Sequence, residues 1–230
     1  MNKTAHHIKA NNIVDKYSKL KFNEDYTGAF VFGSFANRTF TDYSDLDIVL
    51  IVKDSSKKES YKTINIDGVD VDICTETLED LKFREQGIIQ KAERKPWLVD
   101  SIILFDKTGK LIELKQNYTS VCSPKKLSIE DIKILRSNIL KINQKVRTTG
   151  KQDKDSCCFT MTTSIREVVN TYYKANSRFT VQAKKIFLDL DLWDAEYSQQ
   201  LKQFLNEGFF EKKIKVWDKI IEFTLAKLSI

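Results

Sequence analysis

Residues 31–52 read VFGSFANRTFTDYSDLDIVLIV. Residues 46–52 place apolar side chains on both alternating sets, Leu46, Ile48, Leu50 and Val52 on one and Val49 and Ile51 on the other. A strand of that pattern is covered on both faces, so this one is expected at the centre of its sheet. Asp45 and Asp47 stand at its entrance, and a spacing of two along an extended chain sends both carboxylates out of the same face. Paired acids in a half-buried place are costly unless a cation neutralises them, and no Lys or Arg adjoins them within the strand. A divalent metal ion would serve.

On the N-terminal side, "GAFVF" (28–32) reads as a strand that breaks at Gly33-Ser34. A glycine at a strand-to-helix break lets the backbone approach a phosphate, with N–H groups and the serine hydroxyl as donors. Ser44, just before the acids, suits either a local cap or a phosphate contact. On the C-terminal side, "YKTINI" (61–66) and "VDVDIC" (69–74) flank Asp67-Gly68, a dipeptide suited to a two-residue hairpin. In the second run Val69, Val71 and Ile73 face a core while Asp70 and Asp72 share the other face. With that strand beside Asp45 and Asp47, three or four carboxylates converge. Hard oxygen ligands in that number favour Mg²⁺ or Mn²⁺ over zinc, and two such ions about 3.5–4 Å apart form the clamp used for in-line attack at phosphorus.

Gly33-Ser34, ten intervening residues and then Asp45-x-Asp47 resemble the signature of the DNA polymerase β-like nucleotidyltransferase superfamily. The layout, "VDVDICTETL" and "DSIILFDKTGKL" more loosely resemble the compact bacterial kanamycin and lincosamide nucleotidyltransferases. The resemblance implies an α+β fold, a mixed β-sheet catalytic domain followed by a C-terminal helical bundle. It implies that Gly33 and Ser34 hold the β- and γ-phosphates of ATP or another nucleoside triphosphate. Asp45 and Asp47 would ligate two Mg²⁺ ions. Asp70, with Asp72 as the alternative, would be the third metal ligand, nearest the acceptor hydroxyl. The implied reaction moves a nucleoside monophosphate, AMP from ATP, onto a hydroxyl of a small molecule such as an antibiotic, releasing pyrophosphate. The alternatives are a tRNA or protein acceptor, as in toxin-antitoxin enzymes, and a degenerate module that binds nucleotide without chemistry. The sequence departs from the family at Arg38, which stands where a glycine is usual.

After Pro124 only helical patterns remain. Ser128 with Asp131 gives an N-cap signature before a helix ending at Gly150, followed by helices near 154–175, 180–190, 194–206 and 210–228. The boundary is set at 117/118, giving a catalytic domain (1–117) and a helical substrate-binding domain (118–230). In the helical half Glu167 is a candidate general base by resemblance to the kanamycin enzyme, against an exposed helix acid beside Arg166. Lys184 is a candidate triphosphate contact, against a solvated lysine. Tyr172, Tyr173, Phe179 and Phe187 recur near helical spacing and read as core.

Composition bounds the remainder. With 41% hydrophobic and 30% charged residues, 7 Gly and 2 Pro in 230, collagenous and low-complexity classes are excluded, and no run of eighteen apolar residues points to a membrane span. The first twenty residues lack a secretory pattern, so a cytoplasmic protein is expected. The four cysteines show no CxxC spacing and are expected as thiols. His6 and His7, the only histidines, read as a solvated helix end. Without another histidine, Ser-His-Asp and zinc-histidine chemistry drop out. Charge is uneven: residues 1–117 carry 18 Lys and Arg against 19 Asp and Glu, residues 118–230 carry 20 against 13. The basic half suits an RNA partner or a solvated lysine-rich surface.

Overall fold

The computed structural model describes residues 5–58 and 61–229, with the Lys57 side chain excluded. The chain divides into two compact units, one ending at Ser123 and the other beginning at Pro124.

The first unit opens with helix α1 (Ala5–Ser18), followed by β1 (Tyr26–Phe32), the single turn α2 (Gly33–Ala36), β2 (Leu46–Val52), β3 (Lys62–Ile66) and β4 (Val69–Thr77). Helix α3 (Leu78–Lys91), β5 (Ile102–Asp106) and α4 (Lys110–Val121) complete it. Among the described residues the strands form one mixed sheet in the order β3-β4-β2-β1-β5. Strand β2 lies in the middle, as its two-sided apolar pattern requires. It pairs antiparallel with β1 and parallel with β4, and β3 closes an antiparallel hairpin onto β4. Asp67 (φ 55°) and Gly68 (φ 84°) both take the left-handed backbone that a tight hairpin turn demands.

Each sheet face has its own core. Ala29, Val31, Leu46, Ile48, Leu50, Val71 and Ile73 pack with Ile13 of α1. Phe30, Val49 and Ile51 pack with Leu81 of α3, Leu98, and Leu111 and Tyr118 of α4. Asp47, in phase with Val49 and Ile51, therefore emerges on the α3/α4 face.

Thr77 and Asp80 form a complete capping box at the start of α3. The sequence reading overlooks α4, where Thr108 and Asp106 organise the entry: Asp106 accepts from the Thr108 N–H at 3.1 Å and the Ile112 N–H at 3.0 Å.

The second unit is helical: α5 (Ile129–Gln152), α6 (Lys154–Ala175), α7 (Ile186–Trp193), α8 (Ala195–Asn206) and α9 (Phe210–Ala226). Helix α5 begins at the Ser128/Asp131 capping box and runs through Gly150 rather than stopping there. One glycine in a long amphipathic helix costs only about 1 kcal/mol relative to alanine, too little to end it. Tyr172, Tyr173, Tyr197 and Trp217 lie in the core of this unit, with the Tyr173 hydroxyl donating to Asp189 at 2.8 Å. Among the described residues no helix is long and apolar enough to cross a membrane.

Candidate active site

The site is built at the end of β1, the start of β2 and the middle of β4. Phe32, last in β1, pairs with Asp47, and Asp47 pairs with Asp72 across the parallel β2/β4 ladder. Those two registers bring carboxylate oxygens of Asp45, Asp47 and Asp72 within 4.8 Å of one another, each residue half-buried. Asp72, the alternative in the sequence reading, stands in the place expected of Asp70. Asp70 shares the face but is exposed, and its carboxylate accepts from Asn65 Nδ2 at 2.7 Å on the outer hairpin strand. Period-two logic places both acids on one face, and only the cross-strand register chooses between them.

Asp72 has neighbours on that outer strand as well. Thr63 Oγ1 donates to Asp72 Oδ1 at 2.6 Å. The phenol of Tyr61, just before this strand, is held above its ordinary pKa, chiefly by Asp72.

The turn after β1 fits against these acids. Gly33 has φ 71°, and a Cβ there would overlap Asp47 Oδ2. No other residue satisfies both conditions. Ser34 is 6% exposed, and its buried hydroxyl has no hydrogen-bond partner. A buried orphan hydroxyl is costly unless something accepts from it, so a phosphate oxygen suits this position. The three-carboxylate set is all hard oxygen and fits Mg²⁺ or Mn²⁺.

The loop continues through Arg38 at φ 58°. The position does take the left-handed backbone that favours glycine, and the arginine occupies it nonetheless. Thr39 N–H donates to the Ser34 carbonyl at 2.9 Å, closing the turn. Ser44 serves the next turn: its hydroxyl accepts from the Thr41 N–H at 3.0 Å.

His6 and His7 are not a solvated helix end. The His6 ring stacks on Phe40 at 5.3 Å and His7 on Phe35 at 5.7 Å, while His6 Nε2 lies 3.2 Å from the Ser44 carbonyl, which it can reach only as a donor. Helix α1 is thereby tied to the segment between Ser34 and Asp45. The apolar partners, Phe35 and Phe40, lie some thirty residues downstream, so no local periodicity signals the contact.

A second support lies behind Phe32. Its ring stacks on Trp97 at 4.5 Å, and the Arg84 guanidinium sits 4.1 Å from the Trp97 ring centroid. Arg84 reaches both Glu76 oxygens at 2.7 Å and donates to Glu85 at 3.2 Å. The second Glu85 oxygen accepts the Leu98 N–H at 3.1 Å. Burial raises the pKa of both Glu76 and Glu85, with Arg84 opposing the shift. These charges on α3 and β4 escape a search confined to strand patterns.

Glu167 lies exposed on α6 and Lys184 exposed in the turn before α7, both in the second unit. Neither position carries burial or a structural partner that marks it for chemistry.

Residues 16–108 match the family model of the nucleotidyltransferase domain. A stretch of 51 residues is 39% identical to a Methanocaldococcus jannaschii protein named as a candidate protein adenylyltransferase, covering 21% of this chain and 35% of that one. The chain thus spans about a third of that relative's length. A crystal structure of a nucleotidyltransferase-like protein from Exiguobacterium sibiricum superposes with a TM-score of 0.47 at 15% identity, over 95% of this chain and 74% of the other.

Proposed function

We propose, from a nucleotidyltransferase domain over residues 16–108, that the chain transfers a nucleoside monophosphate, AMP from ATP, to an acceptor hydroxyl and releases pyrophosphate. The observation that carries this reading is the convergence of Asp45, Asp47 and Asp72 beside the Gly33-Ser34 turn. Asp45, Asp47 and Asp72 would hold Mg²⁺, which when bound supplies charge neutralisation at the triphosphate and the acceptor oxygen. The Ser34 hydroxyl donates to a phosphate oxygen, and the missing side chain at Gly33 lets the chain backbone close on the triphosphate. Asp72 is the carboxylate on the hairpin side and receives the acceptor proton. Retention of every acid in the set speaks against a degenerate binding module.

For the acceptor, a protein hydroxyl is supported by the name of the archaeal relative. The antibiotic-type acceptor rests on the sequence resemblance alone. The basic helical half keeps RNA as the remaining reading, which predicts binding that weakens steeply with salt.

Incubation with Mg²⁺, each nucleoside triphosphate and a panel of protein, tRNA and small-molecule acceptors, read by pyrophosphate release and label transfer, tests the proposal. Asp47→Asn and Asp72→Asn are expected to lower turnover by roughly 10²–10³-fold, and Asp70→Asn to stay within a few-fold of the parent. Undiminished turnover in Asp72→Asn would overturn the assignment.

A further inference from the structure

We propose that the first unit carries a second ligand site, on the sheet face opposite the acids, for a small carboxylate bearing an apolar group about the size of one aromatic ring. A cavity of about 260 Å³ opens there. Its floor is Leu50 of β2 and Ile73 of β4, both buried, and its sides include Ile64 of β3 and Leu20 in the short turn after α1. All four belong to the core on the α1 face, whereas strand phase sends Asp47 and Asp72 out of the other. Register sets the remaining wall. Lys62 pairs with Ile73 across the hairpin and Thr75 with Leu50 across the parallel ladder, and paired residues project from the same face.

The charge at this cavity has one sign. Lys16, in the last turn of α1, and Lys62, the first residue of β3, are both exposed and bring ammonium groups to its mouth. Among the described residues that line it there is no carboxylate. An apolar floor beneath a cationic mouth selects an amphipathic anion. The apolar group covers Leu50 and Ile73 and gains by leaving water, and the carboxylate takes charge-assisted hydrogen bonds. Size narrows the class. A cavity of about 150 Å³ lined by apolar side chains takes up benzene, and pockets for drug-sized molecules start near about 300 Å³, so this one suits a single ring or a short acyl chain with its carboxylate. Because the sheet separates the cavity from the three acids, its occupant is neither the nucleotide nor the acceptor. It is an effector that binds the folded sheet and stabilises it.

The test titrates the full-length chain, with Ile and Leu methyl groups isotope-labelled, with benzoate and hexanoate, and with benzyl alcohol and benzylamine as neutral and cationic counterparts. Expected are saturable binding of a carboxylate, a raised melting midpoint, and nuclear Overhauser contacts from it to the methyl groups of Leu50, Ile64 and Ile73, all unchanged by Mg²⁺ and ATP. Either carboxylate supports the site, and the tighter one tells ring from acyl chain. Lys16→Gln, at an exposed position that leaves the core untouched, should weaken benzoate roughly fivefold and leave benzyl alcohol as it was. Ile64→Trp, which fills the cavity, should abolish binding of both, with circular dichroism reporting whether the sheet is intact. Equal affinity for benzoate, benzyl alcohol and benzylamine overturns the anionic assignment. Contacts at other methyl groups, displacement by Mg²⁺ and ATP, or no binding of either carboxylate at millimolar concentration overturns the site, and each leaves nucleotidyl transfer standing.

Discussion

Gly33 answers to two demands at once, a backbone of φ 71° and the Asp47 carboxylate lying where a Cβ would be. Gly33→Ala is expected to cost about 1–3 kcal/mol of stability and to weaken Mg²⁺-nucleotide binding at least tenfold, because relief of the overlap must displace Asp47. Urea denaturation and nucleotide titration check both halves. The Gly-Ser break and the Asp-x-Asp pair were legible because their chemistry is local in sequence. The choice of Asp72 over Asp70 was not, since both obey the same alternation and differ only in what stands beside them.

Among elements, the strands that position the site were the most readable. Strand β2 declared itself by apolar residues on both sides, the β3/β4 hairpin by Asp67-Gly68, and α5 by the Ser128/Asp131 signature at its start. What stayed hidden were contacts between elements, such as α1 on the loop after β1, and α3 on β4. The α3/β4 contact gives a pH dependence. Glu76 and Glu85, 5% and 0% exposed, share the single guanidinium of Arg84, and burial holds both carboxyls above their ordinary pKa. The native state therefore binds their protons more tightly than the unfolded chain. Their contribution to stability is present below the usual carboxylate pKa and is lost as pH rises through the raised native values. Denaturation midpoints should decline across that window, and Glu85→Gln should flatten the decline. Removing the cation instead, in Arg84→Met, is expected to destabilise by about 3–5 kcal/mol at neutral pH, as when one partner of a buried pair is lost.

For the whole molecule, the change from strands to helices was visible as a change in hydrophobic period, and the chain divides into its two compact units between Ser123 and Pro124. The first unit carries a packed core on each face of its sheet, drawn entirely from its own residues. A chain ending at Ser123 is accordingly expected to unfold in one cooperative transition, followed by circular dichroism and tryptophan fluorescence. A non-cooperative melt would show that the sheet unit needs the helical unit to fold.

The parallel pairing of β2 with β4 also has a consequence for biosynthesis. The β1/β2 and β3/β4 partners can each zip up soon after emerging from the ribosome, yet neither hairpin alone brings Asp47 and Asp72 together. That union waits for the non-local docking of one hairpin against the other, the slow kind of step in assembling a sheet. A nascent or partly folded chain thus cannot grip a cation with all three acids, and the capacity to do so arrives with the finished sheet.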